Sequence, residues 1–135
     1  ALVAGFRSPE KYQCAVAFAP VTDLDDLIKR WRLFSTGAVA VARIQTGDLR
    51  DQYSPLKRVD DFKIPLLLVH GDVDRRVTIE HSQKLAAALE KAGKDFRYIE
   101  QRNGNHHLSL QSHRREFFLA MDAFLNQHIG RGANR

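Results

Sequence analysis

Residues 65–77, PLLLVHGDVDRRV, pass within a few positions from an unbroken apolar run to a glycine and a burst of charge. Leu66, Leu67, Leu68 and Val69 present no polar face, so this segment does not suit a half-solvated sheet, where apolar and polar residues alternate. It suits a strand covered on both sides, bracketed by Pro65 and Gly71. Such a strand belongs to a parallel sheet with helices on each face. Whatever follows Gly71 emerges at the carboxyl end of that strand, where open α/β sheets gather their reactive groups. Asp72 and Asp74 both stand there, and the residues by themselves leave open which of them does chemistry.

The rest of the chain supplies partners for this strand. CAVAFAP, residues 14–20, is a second short apolar run closed by Pro20, and DFRYIEQ, residues 95–101, a third strand in which Phe96 and Tyr98 alternate with polar neighbours. ALVAGFRSPEKY reads as the end of a helix and a loop rather than as the opening of a domain. Thr22 with Asp25 is a helix-start signature, and Leu24, Leu27, Ile28 and Trp31 follow on one face. Residues 35–64 have mixed periodicity and read as helical pieces joined by loops. Thr78 is the expected N-cap of a helix whose inner face is Ile79, Ser82, Leu85, Ala86 and Leu89 and which stops at Gly93. A last helix is expected from about Arg114, with Phe117, Phe118, Met121, Phe124 and Leu125 on one stripe, ending before Gly130. Alternating strands and helices predict an α/β fold: a three-stranded parallel sheet, flanking helices and right-handed crossovers.

At 135 residues with 44% apolar content, the chain is long enough for one domain, expected over 1–130, with 131–135 a disordered tail that has nothing to bury. No apolar stretch approaches the length of a membrane span and no targeting signal is present, so no membrane partner is expected and the compartment stays open. Cys14 is the single cysteine, which excludes an internal disulfide framework. The net charge is +5, but the basic residues are interleaved with 16 acidic ones and form no stripe, so no nucleic-acid partner is expected.

Two loops leave the carboxyl ends of predicted strands with chemistry-bearing side chains: HGDVDRRV, with His70, Asp72 and Asp74, and RNGNHHLSL, with His106 and His107. An acid and an imidazole from adjacent strand ends form the orienting half of a Ser-His-acid relay. The expected nucleophile on such a sheet sits on a strained G-x-S-x-G turn earlier in the chain. Ser8, Ser35, Ser54, Ser82, Ser109 and Ser112 all lack a glycine two residues before, and Cys14 fails the same test inside a strand. A metal held by His70, Asp72, Asp74, His106 and His107 is disfavoured, because the glycine turn breaks strand alternation and no helical His-x-x-x-His pair accompanies it. Arg75 and Arg76 read as surface groups or partners of an acid, and Trp31 and Phe34 as packing residues.

PLLLVHGDVDRRVTIEHSQKLAAALEKAG, the later NGNHHLSL, the upstream SPEKYQCAVAFAPVTDL and the linking YSPLKRVDDFKIP together resemble the C-terminal part of the catalytic domain of the prolyl oligopeptidase family, serine peptidases of the α/β-hydrolase fold. The resemblance covers nearly the whole chain. It implies that Asp74, three residues after the glycine of HG, is the catalytic acid and that His106 is the general base. Asp72 is then a turn residue, and His107 stands where the family often has glycine. It also implies peptide substrates, no metal or organic cofactor, and a nucleophilic serine a few residues before Ala1, in a missing N-terminal part of the catalytic domain. The oxyanion-hole segment and the β-propeller typical of the family are not in this sequence either. A chain so constituted is expected to be inactive alone and to self-associate through the strand edge left bare at residues 14–19. An esterase or lipase-like hydrolase, or a non-catalytic interaction domain of the same fold, are the rival readings.

Overall fold

The computed structural model describes residues 1–33 and 49–130. Phe34, Ser35, the helical pieces expected over 35–48 and the tail at 131–135 lie outside the described residues. Three strands form one parallel sheet in the order β1-β2-β3: β1 Ala15–Phe18, β2 Leu66–Gly71 and β3 Phe96–Gln101. Leu66 of β2 lies between Ala15 and Phe96, and the register continues to Val69 opposite Phe18 and to Gly71 opposite Gln101. All of β2 is buried, as its apolar run requires. β1 is only half-buried except at Ala17: Ala15 and Ala17 pack on one face and Val16 and Phe18 on the other, but among the described residues it has a strand neighbour on one side only.

The two faces of the sheet make separate cores. On one, α1 (Leu2–Arg7) and α4 (Glu80–Lys91) bring Leu2, Phe6, Leu85 and Leu89 onto Ala17, Leu66 and Leu68, with Phe62 filling the gap edge-on to Phe6 at 5.3 Å. On the other, α5 (Gln111–Ile129) lays Ala120 and Phe124 on Leu67 and Val69. Each fully buried Leu or Phe contributes about 1.5–3 kcal/mol by leaving water. The last helix thus begins three residues earlier than its apolar stripe suggests, at Gln111 rather than Arg114. Phe118, expected on that stripe, is exposed, and Ala120 replaces it against the sheet.

Helix starts differ from their sequence signatures in an informative way. In α2 (Leu24–Trp31) the cap is Asp23, whose carboxylate accepts from the amides of Asp25 and Asp26. Thr22 is instead turned inward: its hydroxyl donates to the His81 carbonyl at 2.7 Å and tethers the β1–α2 loop to the start of α4. In α4 the N-cap position is Ile79, one residue after Thr78 and with no side-chain bond, while the Thr78 carbonyl accepts from the His81 amide at 3.1 Å. The stop at Gly93 is as expected: its φ of +62° lets the amide of Lys94 reach back to the carbonyl of Leu89. Between α2 and β2, α3 (Leu49–Tyr53) and a 3₁₀ turn at Pro55–Asp61 lead the chain under the sheet.

Candidate active site

The loops after β2 and β3 are laid directly against each other by a pair of glycines. A Cβ on Gly71 would sit 2.2 Å from the carbonyl group of Gly104, and one on Gly104 would sit 2.9 Å from the Gly71 Cα. With no side chains between them, the backbones bond across: the Val73 amide donates to the Gly104 carbonyl at 3.0 Å and that of Asp72 to Gln101 at 3.1 Å. Asn103 and Leu108 adopt positive φ at the two sides of the second loop, at +58° and +50°.

This contact brings Asp74 and His106 together. Nδ1 of His106 lies 2.7 Å from Oδ2 of Asp74, and the other carboxylate oxygen accepts from the backbone amides of Arg76 at 2.8 Å and Val77 at 3.0 Å. The Asp74 side chain is fully buried, while that of His106 is 31% exposed. Burial is the largest single influence on the Asp74 carboxyl and pushes its pKa up, but the His106 bond and the Val77 and Arg76 amides together outweigh it. The group is held below the ordinary carboxylate range and is ionised at neutral pH. An ionised acceptor at Nδ1 requires that nitrogen to carry the proton, which leaves Nε2 with its lone pair toward the open side. Among the described residues no side chain or backbone group bonds to that nitrogen.

Asp72 and His107 are both exposed, and the His107 ring lies edge-on to that of His106 at 5.5 Å. Arg75 is engaged through its carbonyl, which accepts from Arg30 at 3.1 Å. His70, considered in the sequence only as a metal ligand, lies fully buried behind Asp74 and bonds to Ser82 and to the Val77 carbonyl. No three His, Cys, Asp or Glu side chains among the described residues converge to hold a metal ion. Of the serines, Ser82 faces His70, Ser54 receives the Leu24 amide and Ser109 bonds to Asn105, so none of these reaches His106. The role of Gly104 was not read from the sequence; a glycine before the histidine loop, paired with the one ending the preceding strand, was the available signal.

A parallel α/β sheet with an acid after one strand and a histidine after the next defines the α/β-hydrolase class. The sequence signature of the prolyl oligopeptidase family matches residues 1–132, and this chain belongs to that family. It is 34% identical over 79 residues, 56% of its length, to the uncharacterized peptidase YuxL of Bacillus subtilis, and 25% identical over 131 residues, 90% of its length, to the acylamino-acid-releasing enzyme of Rattus norvegicus. It spans only 12% and 18% of those relatives. Among solved structures, a puromycin-hydrolyzing peptidase of Mycobacterium tuberculosis superposes with a TM-score of 0.83 at 20% identity, over 96% of this chain and 20% of that one. The acylaminoacyl peptidase of Pyrococcus horikoshii does so at 0.77 and 18% identity, over 98% and 22%. These likenesses show the α/β-hydrolase fold.

Proposed function

We propose that this chain is the acid–base part of a serine peptidase catalytic domain, with Asp74 as the acid and His106 as the general base of peptide-bond hydrolysis. The observation that carries the reading is the 2.7 Å bond between a buried, ionised carboxylate and the Nδ1 of an imidazole whose Nε2 is open. In the mechanism this supports, Nε2 of His106 accepts the serine hydroxyl proton as the oxygen attacks the peptide carbonyl. Asp74 stabilises the imidazolium, which then gives its proton to the leaving amine. Water, deprotonated by the same nitrogen, releases the acyl group and regenerates the serine. The serine belongs to a preceding segment of a longer protein, in keeping with the small fraction of each relative that this chain spans.

The 135-residue chain is therefore expected to show no turnover of peptide or p-nitrophenyl ester substrates. In the full-length protein, Asp74→Asn should cut kcat by about 10⁴-fold, since the amide favours the wrong imidazole tautomer, and His106→Ala should leave only residual activity. Robust turnover by the chain alone, lost on Ser35→Ala, would sink the division of labour; full activity of Asp74→Asn would sink the assignment of the acid.

A further inference from the structure

His70 and Ser82 form a buried polar pair that the acid–base mechanism does not use. Both are fully buried, one on the central strand and one on α4. The ring is bonded at both nitrogens: Nδ1 lies 2.7 Å from Ser82 Oγ and Nε2 lies 3.0 Å from the Val77 carbonyl oxygen. A carbonyl only accepts, so Nε2 carries the proton and Nδ1 accepts from the Ser82 hydroxyl. Burial, the largest influence, lowers the His70 pKa against the opposing pull of Val77 and Asp74, and the ring is neutral. Nε2 also lies 3.4 Å from Asp74 Oδ2, the oxygen that His106 uses.

The same residue, Val77, therefore faces His70 with its carbonyl and Asp74 with its amide. The amide belongs to the 76–77 peptide and the carbonyl to the 77–78 peptide, so the two bonds are linked through the Val77 Cα that joins them. If Val77 shifts, the 3.0 Å bond from its amide to Asp74 Oδ1 weakens and the carboxylate is less firmly held toward His106. The Arg76 amide alone, 2.8 Å from the same oxygen, does not fix the plane of the carboxylate. On the reading that Asp74 and His106 are the acid and base, we propose that His70, oriented by the Ser82 hydroxyl, is a positioning residue: by holding Val77 through its carbonyl and lying 3.4 Å from Asp74 Oδ2, it sets the carboxylate orientation that keeps His106 in its Nδ1–H tautomer.

Nitrogen-15 NMR of histidine-labelled protein reads this directly, because a neutral imidazole released from its carboxylate drifts toward the Nε2–H form. In the wild-type chain at neutral pH, uncharged His106 should be almost wholly Nδ1–H. Ser82→Ala, a small change inside an otherwise intact core, should give a mixture of His106 tautomers with the fold's chemical-shift dispersion retained. His70→Gln places an amide nitrogen near the Nε2 site and should preserve the wild-type tautomer, whereas His70→Asn, whose amide nitrogen mimics Nδ1, should not. In the full-length protein Ser82→Ala should lower kcat roughly tenfold with KM little changed, as expected when a reacting group is misaligned rather than substrate lost. His106 remaining wholly Nδ1–H in Ser82→Ala would overturn the inference, as would equal behaviour of His70→Gln and His70→Asn. If His70→Asn does not fold, Ser82→Ala and His70→Gln decide it. Full activity of Asp74→Asn would instead show that the acid–base reading is wrong, so the two failures are distinguishable.

Discussion

Asp74 keeps its charge where a lone carboxylate would take up a proton. Two backbone amides and an imidazole N–H satisfy it, and that compensation makes its ionisation a contribution to stability. Because its pKa is lowered on folding from the ordinary 3.8, that contribution is complete above 3.8 and is lost as pH falls through the lower folded value. His70 and His81 are lowered from 6.5, chiefly by burial. Below that value the unfolded chain takes up protons that the folded chain refuses, so stability falls with pH, by at most ~1.4 kcal/mol per pH unit for each histidine. Urea midpoints should therefore fall between pH 7 and pH 5, and His81→Gln should flatten the slope while lowering the plateau. A midpoint independent of pH over that range would show that both rings accept protons within the fold. Asp74 and His106 were legible as residues only through a motif; their bond is a product of two loops whose approach no spacing encodes.

At the scale of elements, the decisive contact is backbone on backbone. Gly71 and Gly104 allow the turns after β2 and β3 to touch, and the Cβ distance of 2.2 Å leaves no room for even an alanine at Gly71. Gly71→Ala should cost about 2–3 kcal/mol in chemical denaturation, by overpacking a site where only backbone can give way. It should also separate Asp74 from His106, visible as loss of the His106 Nδ1–H tautomer. Gly93→Ala offers the contrast: a Cβ there meets nothing within 4 Å, and only the φ of +62° resists it. That change should cost only about 1 kcal/mol and leave the site intact. Strands and long helices were readable because their apolar periods are local. The caps were misassigned at Thr22 because that hydroxyl has a better partner in the His81 carbonyl, 59 positions away, than any amide of its own helix.

At the scale of the molecule, β1 is the edge of the sheet that the described residues form. Among the described residues β1 pairs only with β2, and an apolar groove of about 340 Å³ lined by Leu2, Val3, Val16, Phe18, Val21 and Pro55 runs beside it. The amides of Ala15 and Ala19 point to β2, so by strand alternation those of Val16 and Phe18 point to the open side. Such an edge pairs with any strand of matching direction. In sedimentation equilibrium the isolated chain is expected to associate with rising concentration, a second copy covering this edge. Val16→Pro, which removes an outward donor and spares the β2 ladder, should weaken that association. A monomer at high concentration with a fully cooperative melt would rule this association out.

From its sequence alone the chain was committed to a covered parallel strand at 66–69, to helices on both faces, and to polar groups at the carboxyl end of the sheet, because these follow from hydrophobic period and chain direction. The tertiary structure decided which polar groups meet. Asp74 rather than Asp72 faces inward because the turn after Gly71 folds its carboxylate back onto the Arg76 and Val77 amides. His106 rather than His107 reaches it because Gly104 lets the second loop lie on the first. His70 turned inward, bonded to Ser82 and to the Val77 carbonyl, once α4 set Ser82 against its ring. Local pattern prescribes where a side chain emerges from an element; the partner it meets depends on the close approach of segments distant in sequence, and that is set by packing.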